Sequence, residues 1–174
     1  MKTILFTICV LMSVHAAISV ERHKFYDYMA TCLQDITSNK NAMNVDFSVA
    51  FQPIFSNSFH ASFNALPKLS FNAWVNTFIC AFKKAGVVNE DGRMIKSRPQ
   101  QYCAEVLQKS ENIQLCENLV VFCTNLACTP GPICAADEVV NEVGCKLNNG
   151  IMSVFEYPFW NEVYKKKNFM SSIY

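Results

Sequence analysis

Ser70-Phe71-Asn72-Ala73-Trp74-Val75-Asn76-Thr77-Phe78-Ile79-Cys80-Ala81-Phe82-Lys83-Lys84-Ala85-Gly86 is the stretch whose reading decides the fold class. Phe71, Trp74, Val75, Phe78, Ile79 and Phe82 recur at the three- and four-residue spacing that puts them on one face of a helix. Ser70 is placed to cap the N-terminus, where its hydroxyl can accept one of the free backbone N–H groups. Gly86 is a natural stop, because glycine takes left-handed backbone angles without steric cost.

The same periodicity extends in both directions. Upstream, Phe25, Met29, Cys32, Leu33 and Ile36 predict an amphipathic helix that ends in the polar run from Thr37 to Asn41. Between the two helices, Asp46 is a candidate cap for a short helix through Phe51, interrupted by Pro53 and closed off by Pro67. Downstream, Asn89-Glu90-Asp91-Gly92 reads as a turn. Ser97 opens a helix with Tyr102, Cys103, Val106 and Leu107 inward, and Ser110 opens another with Cys116, Leu119, Val120, Cys123, Leu126 and Ala127 on one face. Thr129-Pro130-Gly131-Pro132 breaks the chain, Pro132 starts a last helix carrying Val139, Val140, Val143 and Cys145, and Asn148-Asn149-Gly150 ends it. No useful length of sequence alternates with the period of two that marks a strand. The expectation is a single all-α domain, a compact bundle of about six helices over residues 20–174, cross-linked by disulfides.

The first residues bear on compartment. Lys2 precedes the apolar run Ile4 to Met12, and small residues follow at Ala16, Ala17 and Ser19, the order of a secretory signal with its cleavage site. A membrane-spanning helix needs about 20 apolar residues, and Glu21-Arg22-His23-Lys24 arrives too early for one. Residues 1–19 are therefore expected to be removed and the product to be extracellular, with no stable membrane insertion. Lys and Arg number 15 against 14 Asp and Glu, and loss of Lys2 makes the two equal. A neutral chain is not built for nucleic acid, which rewards net positive charge. The one basic run, Lys165-Lys166-Lys167, reads as a solvated end.

Cys9 leaves with the signal, so Cys32, Cys80, Cys103, Cys116, Cys123, Cys128, Cys134 and Cys145 form an even set in an oxidising compartment, which predicts disulfides. The sequence alone does not choose among the possible connectivities. Zinc is the competing reading of clustered cysteines, but there is no Cys-x-x-Cys, and His23 and His60 lie far from the cluster. A calcium loop fails as well: with Gly92 as its sixth residue, Val87 would have to be the first ligand. No cofactor is expected. Gly-x-Ser-x-Gly is absent and neither mature histidine has an obvious partner, so no catalytic residue is assigned and a non-enzymatic protein is expected.

Fourteen Phe and six Tyr exceed what a helical core of this size requires. Small-molecule sites are mostly apolar with few polar groups, so Trp74, Phe78 and Phe82 on the aromatic helix, with Leu119 and Val120, are candidate cavity residues. The tail 151–174 adds Phe155, Tyr157, Phe159 and Trp160, too apolar to be left in water. Pro158 predicts an irregular lid docked over the pocket mouth.

From Cys80 through Ala81-Phe82-Lys83-Lys84-Ala85-Gly86-Val87-Val88-Asn89-Glu90-Asp91 to Gly92, the chain resembles the insect odorant-binding protein family, including the salivary odorant-binding-like proteins of blood-feeding flies. Gly86 and Gly92 fall in the family's register relative to Cys80. Cys32 matches its first cysteine, and Cys123, Cys134 and Cys145 match its fourth, fifth and sixth. The second cysteine's position is Asn76 here, the gaps from Cys32 to Cys80 and from Cys134 to Cys145 are longer, and Cys103, Cys116 and Cys128 are additional. The resemblance implies bridges Cys32–Cys80 and Cys123–Cys145, leaving Cys134 to pair with Cys128, Cys103 or Cys116. It also implies a carrier of small hydrophobic ligands (odorants, pheromones or fatty-acid-like lipids) beneath an apolar C-terminal tail. The alternative is a secreted salivary-type protein that scavenges host mediators such as biogenic amines or eicosanoids, or blocks a host protein. An amine scavenger would use a carboxylate among aromatics, and Glu156 between Phe155 and Tyr157 is the candidate. A homodimer and a receptor partner stay open.

Overall fold

The structure is a computed structural model that describes residues 2–38 and 69–172, with residues 2–19, Tyr157 and Ser171 described by their backbone alone. The expected short helix from Asp46 to Phe51, and His60, lie outside the described residues. Seven helices and one two-stranded ribbon follow in order: α1 Lys2–Ser38, α2 Phe71–Lys84, β1 Met94–Ile95, α3 Arg98–Val106, α4 Ser110–Ala127, β2 Ile133–Cys134, α5 Ala136–Asn148, α6 Ile151–Val154 and α7 Tyr157–Ser171. The chain is all-α in class, as its periodicity predicts. Among the described residues no helix is long and apolar enough to cross a membrane.

Local chemistry explains the helix ends. The Ser70 hydroxyl accepts the Ala73 N–H at 3.0 Å at the start of α2. At its end Gly86 has φ +67°, the Gly86 N–H donates to the Lys83 carbonyl (3.0 Å), and the Val87 N–H reaches back to the Phe82 carbonyl (2.9 Å). This pair of reversed bonds satisfies carbonyls that the helix leaves free, and buried Val87 packs at the same corner. Phe25, Met29, Cys32 and Leu33 of α1 are fully buried, and α1 packs against α2 and α7.

Three expectations need correction. Pro132 does not start a helix: Ile133 and Cys134 pair antiparallel with Ile95 and Met94, and α5 begins at Ala136. The Glu138 carboxylate accepts the backbone N–H groups of Ala135 (2.8 Å) and Thr129 (2.9 Å), which fixes that entry. Strands of two residues are too short to show alternation. Second, the tail is helical rather than irregular. Gly150 (φ +86°) turns the chain into α6, and Pro158 sits in the first turn of α7, where a missing N–H costs nothing. α7 then lies along α1, with Lys166 Nζ 2.6 Å from Asp27 Oδ1. Third, Leu126 faces outward at 70% exposure rather than inward, and Val140 is half exposed.

The cysteines close four bridges. Cys32–Cys80 ties α1 to α2, Cys103–Cys116 ties α3 to α4, Cys123–Cys145 ties α4 to α5, and Cys128–Cys134 ties the end of α4 to β2. Both pairings implied by the family resemblance are present, and Cys134 takes Cys128 from its three alternatives.

Candidate functional site

Elements from α1 to the tail converge on one internal cavity. Its apolar walls are Phe25 from α1, Phe82 from α2, Val106 from α3, Val120 from α4, and Ile151 and Phe155 from the tail. Its volume is about 20 Å³, roughly the space of one water molecule. The aromatic residues expected to line a cavity therefore mostly fill it.

Of those residues, Phe82, Val120 and Phe155 reach the cavity. Trp74, Phe78, Phe159 and Trp160 form the packed layer beside it: Phe155 and Phe159 ring centres lie 4.6 Å apart, Phe159 and Trp160 5.0 Å, Trp74 and Trp160 6.0 Å, and Phe78 and Phe155 6.4 Å. The Trp160 indole N–H donates to the Met152 carbonyl at 3.2 Å, so its one polar group is satisfied within the tail. Leu119 is partly buried at the margin of the core, and the Tyr157 side chain lies outside the described residues.

Two polar residues border the cavity: periodicity placed Tyr102 inward without assigning it to the site, and it missed Lys146. Tyr102 is 2% exposed, and its hydroxyl makes no hydrogen bond among the described residues. Phe25 packs edge-on against its ring at 5.5 Å and the Arg98 guanidinium lies over it at 5.2 Å. Arg98 is itself held by a two-pronged pair with Glu105 at 2.6 and 2.9 Å. Burial pushes the Tyr102 phenol upward, with nearby Glu21 and Glu105 adding to the shift, so it stays a protonated donor at ordinary pH.

The second group is Lys146, 2% exposed. Its Nζ lies 2.6 Å from Glu142 Oε1 and 5.3 Å from the centre of the Phe82 ring. Glu142 is wholly buried, and its Oε1 also accepts the Thr124 hydroxyl at 3.2 Å. The ion pair occupies core positions of α5 between Val139, Val143 and Leu147. A signal was present: Glu142 and Lys146 share the helical face of those three apolar residues, although a Glu–Lys pair four residues apart normally reads as solvated.

The cavity has an approach. Val106 and Phe155 also line a surface recess of about 50 Å³, and through Arg22 and Gln108 that recess adjoins a groove of about 270 Å³ between α1 and α7. Phe155 thus stands between buried volume and surface volume. At the rim, Lys109 Nζ lies 2.5 Å from Glu156 Oε1, and Asn112 donates to the same carboxylate at 3.2 Å. The hydrogen bond from Lys109 holds the Glu156 carboxyl below the usual range. Glu156 is therefore a rim residue already paired with a cation, not a carboxylate inside an aromatic pocket.

One group of potential metal ligands occurs among the described residues, Cys128, Cys134 and Glu138. Its sulfurs form a disulfide and its carboxylate is held by backbone N–H groups, which leaves no thiolate to bind a cation. No family model, curated protein or solved structure matches this chain.

Proposed function

We propose that this protein is a secreted, non-enzymatic carrier of small hydrophobic molecules, related to the odorant-binding proteins. The observation that carries the reading is the junction of five helices and the tail around a cavity with apolar walls. Such walls suit an apolar guest. A secretory-type N-terminus and four disulfides support an extracellular setting.

Loading a guest larger than water requires Phe155 and Ile151 to withdraw, which joins the cavity to the recess and groove outside. Each methylene moved from water into an apolar site contributes about 0.8 kcal/mol, so eight give about 6 kcal/mol before ordering costs. That suffices for micromolar binding without special chemistry. Fluorescence titration with N-phenyl-1-naphthylamine tests the reading on the oxidised mature protein. Micromolar binding that is displaced by medium-chain apolar compounds supports it, and no binding at any concentration refutes it.

The second reading is a secreted interaction protein that blocks a host protein. It rests on the outer face of α4, where Leu115, Phe122 and Leu126 are 57%, 54% and 70% exposed. Expression confined to salivary gland, with no small molecule retained in native mass spectrometry, would favour it.

A further inference from the structure

We infer that the groove between α1 and α7 is a second binding site, separate from the internal cavity, whose ligand is a small organic monocarboxylate held on the Arg22 guanidinium. The inference stands apart from the carrier reading and needs no movement of Phe155.

Arg22 lines both the groove and the recess beside it, as does Gln108. Its Nε donates to the hydroxyl of Tyr26, one turn later in α1, and its guanidinium carbon stands 5.4 Å from the centre of the Tyr26 ring. Tyr26 is itself fixed: it is 4% exposed, and its ring centre lies 4.6 Å from that of Phe159 in α7. A buried tyrosine thus holds the head of a part-buried arginine in place and leaves its two Nη groups to bind. The planar fork of a guanidinium matches the two oxygens of a carboxylate.

The charges along this cleft select the ligand. Glu156 has Lys109 at 2.5 Å, and Glu162 has Lys165 at 3.0 Å. Both carboxylates of the cleft have their own cations, whereas Arg22 makes no ion pair among the described residues. Arg98 is the contrast, since Glu105 clamps it at two points. One unbalanced positive charge calls for one negative charge. An amine would meet Arg22 as a like charge, and a dianionic phosphate would bring a surplus beside Glu156 and Glu162. Elsewhere the groove offers the Gln108 and Asn161 amides, each both donor and acceptor, and the ring of Pro158. Those neighbours suit a compact body with a hydroxyl or amide of its own. The volume of about 270 Å³ lies just below the usual range of small-molecule sites.

The test is calorimetric titration of the oxidised mature protein at pH 7 and low salt with 4-hydroxyphenylacetate, 4-hydroxyphenylacetamide, tyramine and phenyl phosphate. The acid is expected to bind with submillimolar affinity, at least tenfold more tightly than its amide, with tyramine excluded and the phosphate no tighter than the acid. Arg22→Gln should abolish binding of the acid. Arg22→Lys keeps the charge but not the fork and should weaken it about tenfold. No binding of the acid at millimolar concentration overturns the inference, as do equal affinities for acid and amide, tighter binding of the phosphate, or an Arg22→Gln variant that binds the acid as before. Displacement of bound N-phenyl-1-naphthylamine by the acid would place the acid in the apolar cavity and overturn the inference too, while leaving the carrier reading standing.

Discussion

α4 and α5 lie side by side and invert the usual rule of hydropathy. α4 turns Leu115, Phe122 and Leu126 toward solvent, while α5 turns Glu142 and Lys146 into the core. The difference shows that position on the packed face, not the character of each residue, decides burial here. α4 meets α3 and α5 through Cys116, Val120, Cys123 and Thr124, and its outer leucines have no helix opposite them among the described residues. α5 has core on the side of Val139, Val143 and Leu147, so the residues between them are enclosed whatever their charge. They are tolerated because each supplies the other's counter-charge and Thr124 supplies a further hydrogen bond.

The sharpest way to break this contrast is to remove one charge. Lys146→Met leaves the Glu142 carboxylate buried without its partner and should cost about 3–5 kcal/mol in urea unfolding. Replacing both Glu142 and Lys146 by Met should cost much less, or even stabilise by about 1–4 kcal/mol, because the desolvation of both ions is relieved. A double variant as unstable as the single one would show that the pair does more than neutralise itself.

The two helices are also joined covalently. Cys123–Cys145 closes a loop of sequence separation 22, worth about 3 kcal/mol in the chain-entropy account. Replacing both cysteines by Ser should lower the thermal midpoint accordingly, and an unchanged midpoint would mean that packing of α4 on α5 alone sets their register.

On the exposed side the expected effects are small. Phe122→Ser and Leu126→Ser should alter unfolding free energy by no more than about 0.5 kcal/mol, as for surface positions generally. A loss above about 2 kcal/mol in either variant would show that the stripe is covered in solution.

The smallest effect expected is that of pH between 5 and 7. Glu138 and Glu156 both have carboxyls held below the ordinary range, Glu138 by the Ala135 and Thr129 N–H groups and Glu156 by Lys109. A depressed folded-state value contributes stability that is present above the unfolded value and is lost as pH falls through the folded one. That window lies below the ordinary glutamate value of about 4.3, so the midpoint and probe affinity should be flat from pH 7 to 5 and decline only in stronger acid. A tenfold loss of affinity by pH 5 would identify a histidine or a perturbed carboxylate acting as a switch.

The sequence by itself determined the helices and their class, because their signals are local. The spacing of Phe25, Met29, Cys32 and Leu33, the cap at Ser70 and the stop at Gly86 each act within a turn or two of backbone. An even cysteine set behind a secretory-type leader likewise fixed the expectation of disulfides. Tertiary structure alone decided what depends on neighbours distant in sequence. It paired Cys134 with Cys128, because β2 lies against β1 beside the end of α4. It made the tail two helices whose aromatics fill the space that composition suggested was open. Finally, it enclosed Glu142 and Lys146 within the core. A Glu–Lys pair at helical spacing has the same local preference in water or in a core, and only the surfaces packed around α5 remove the water.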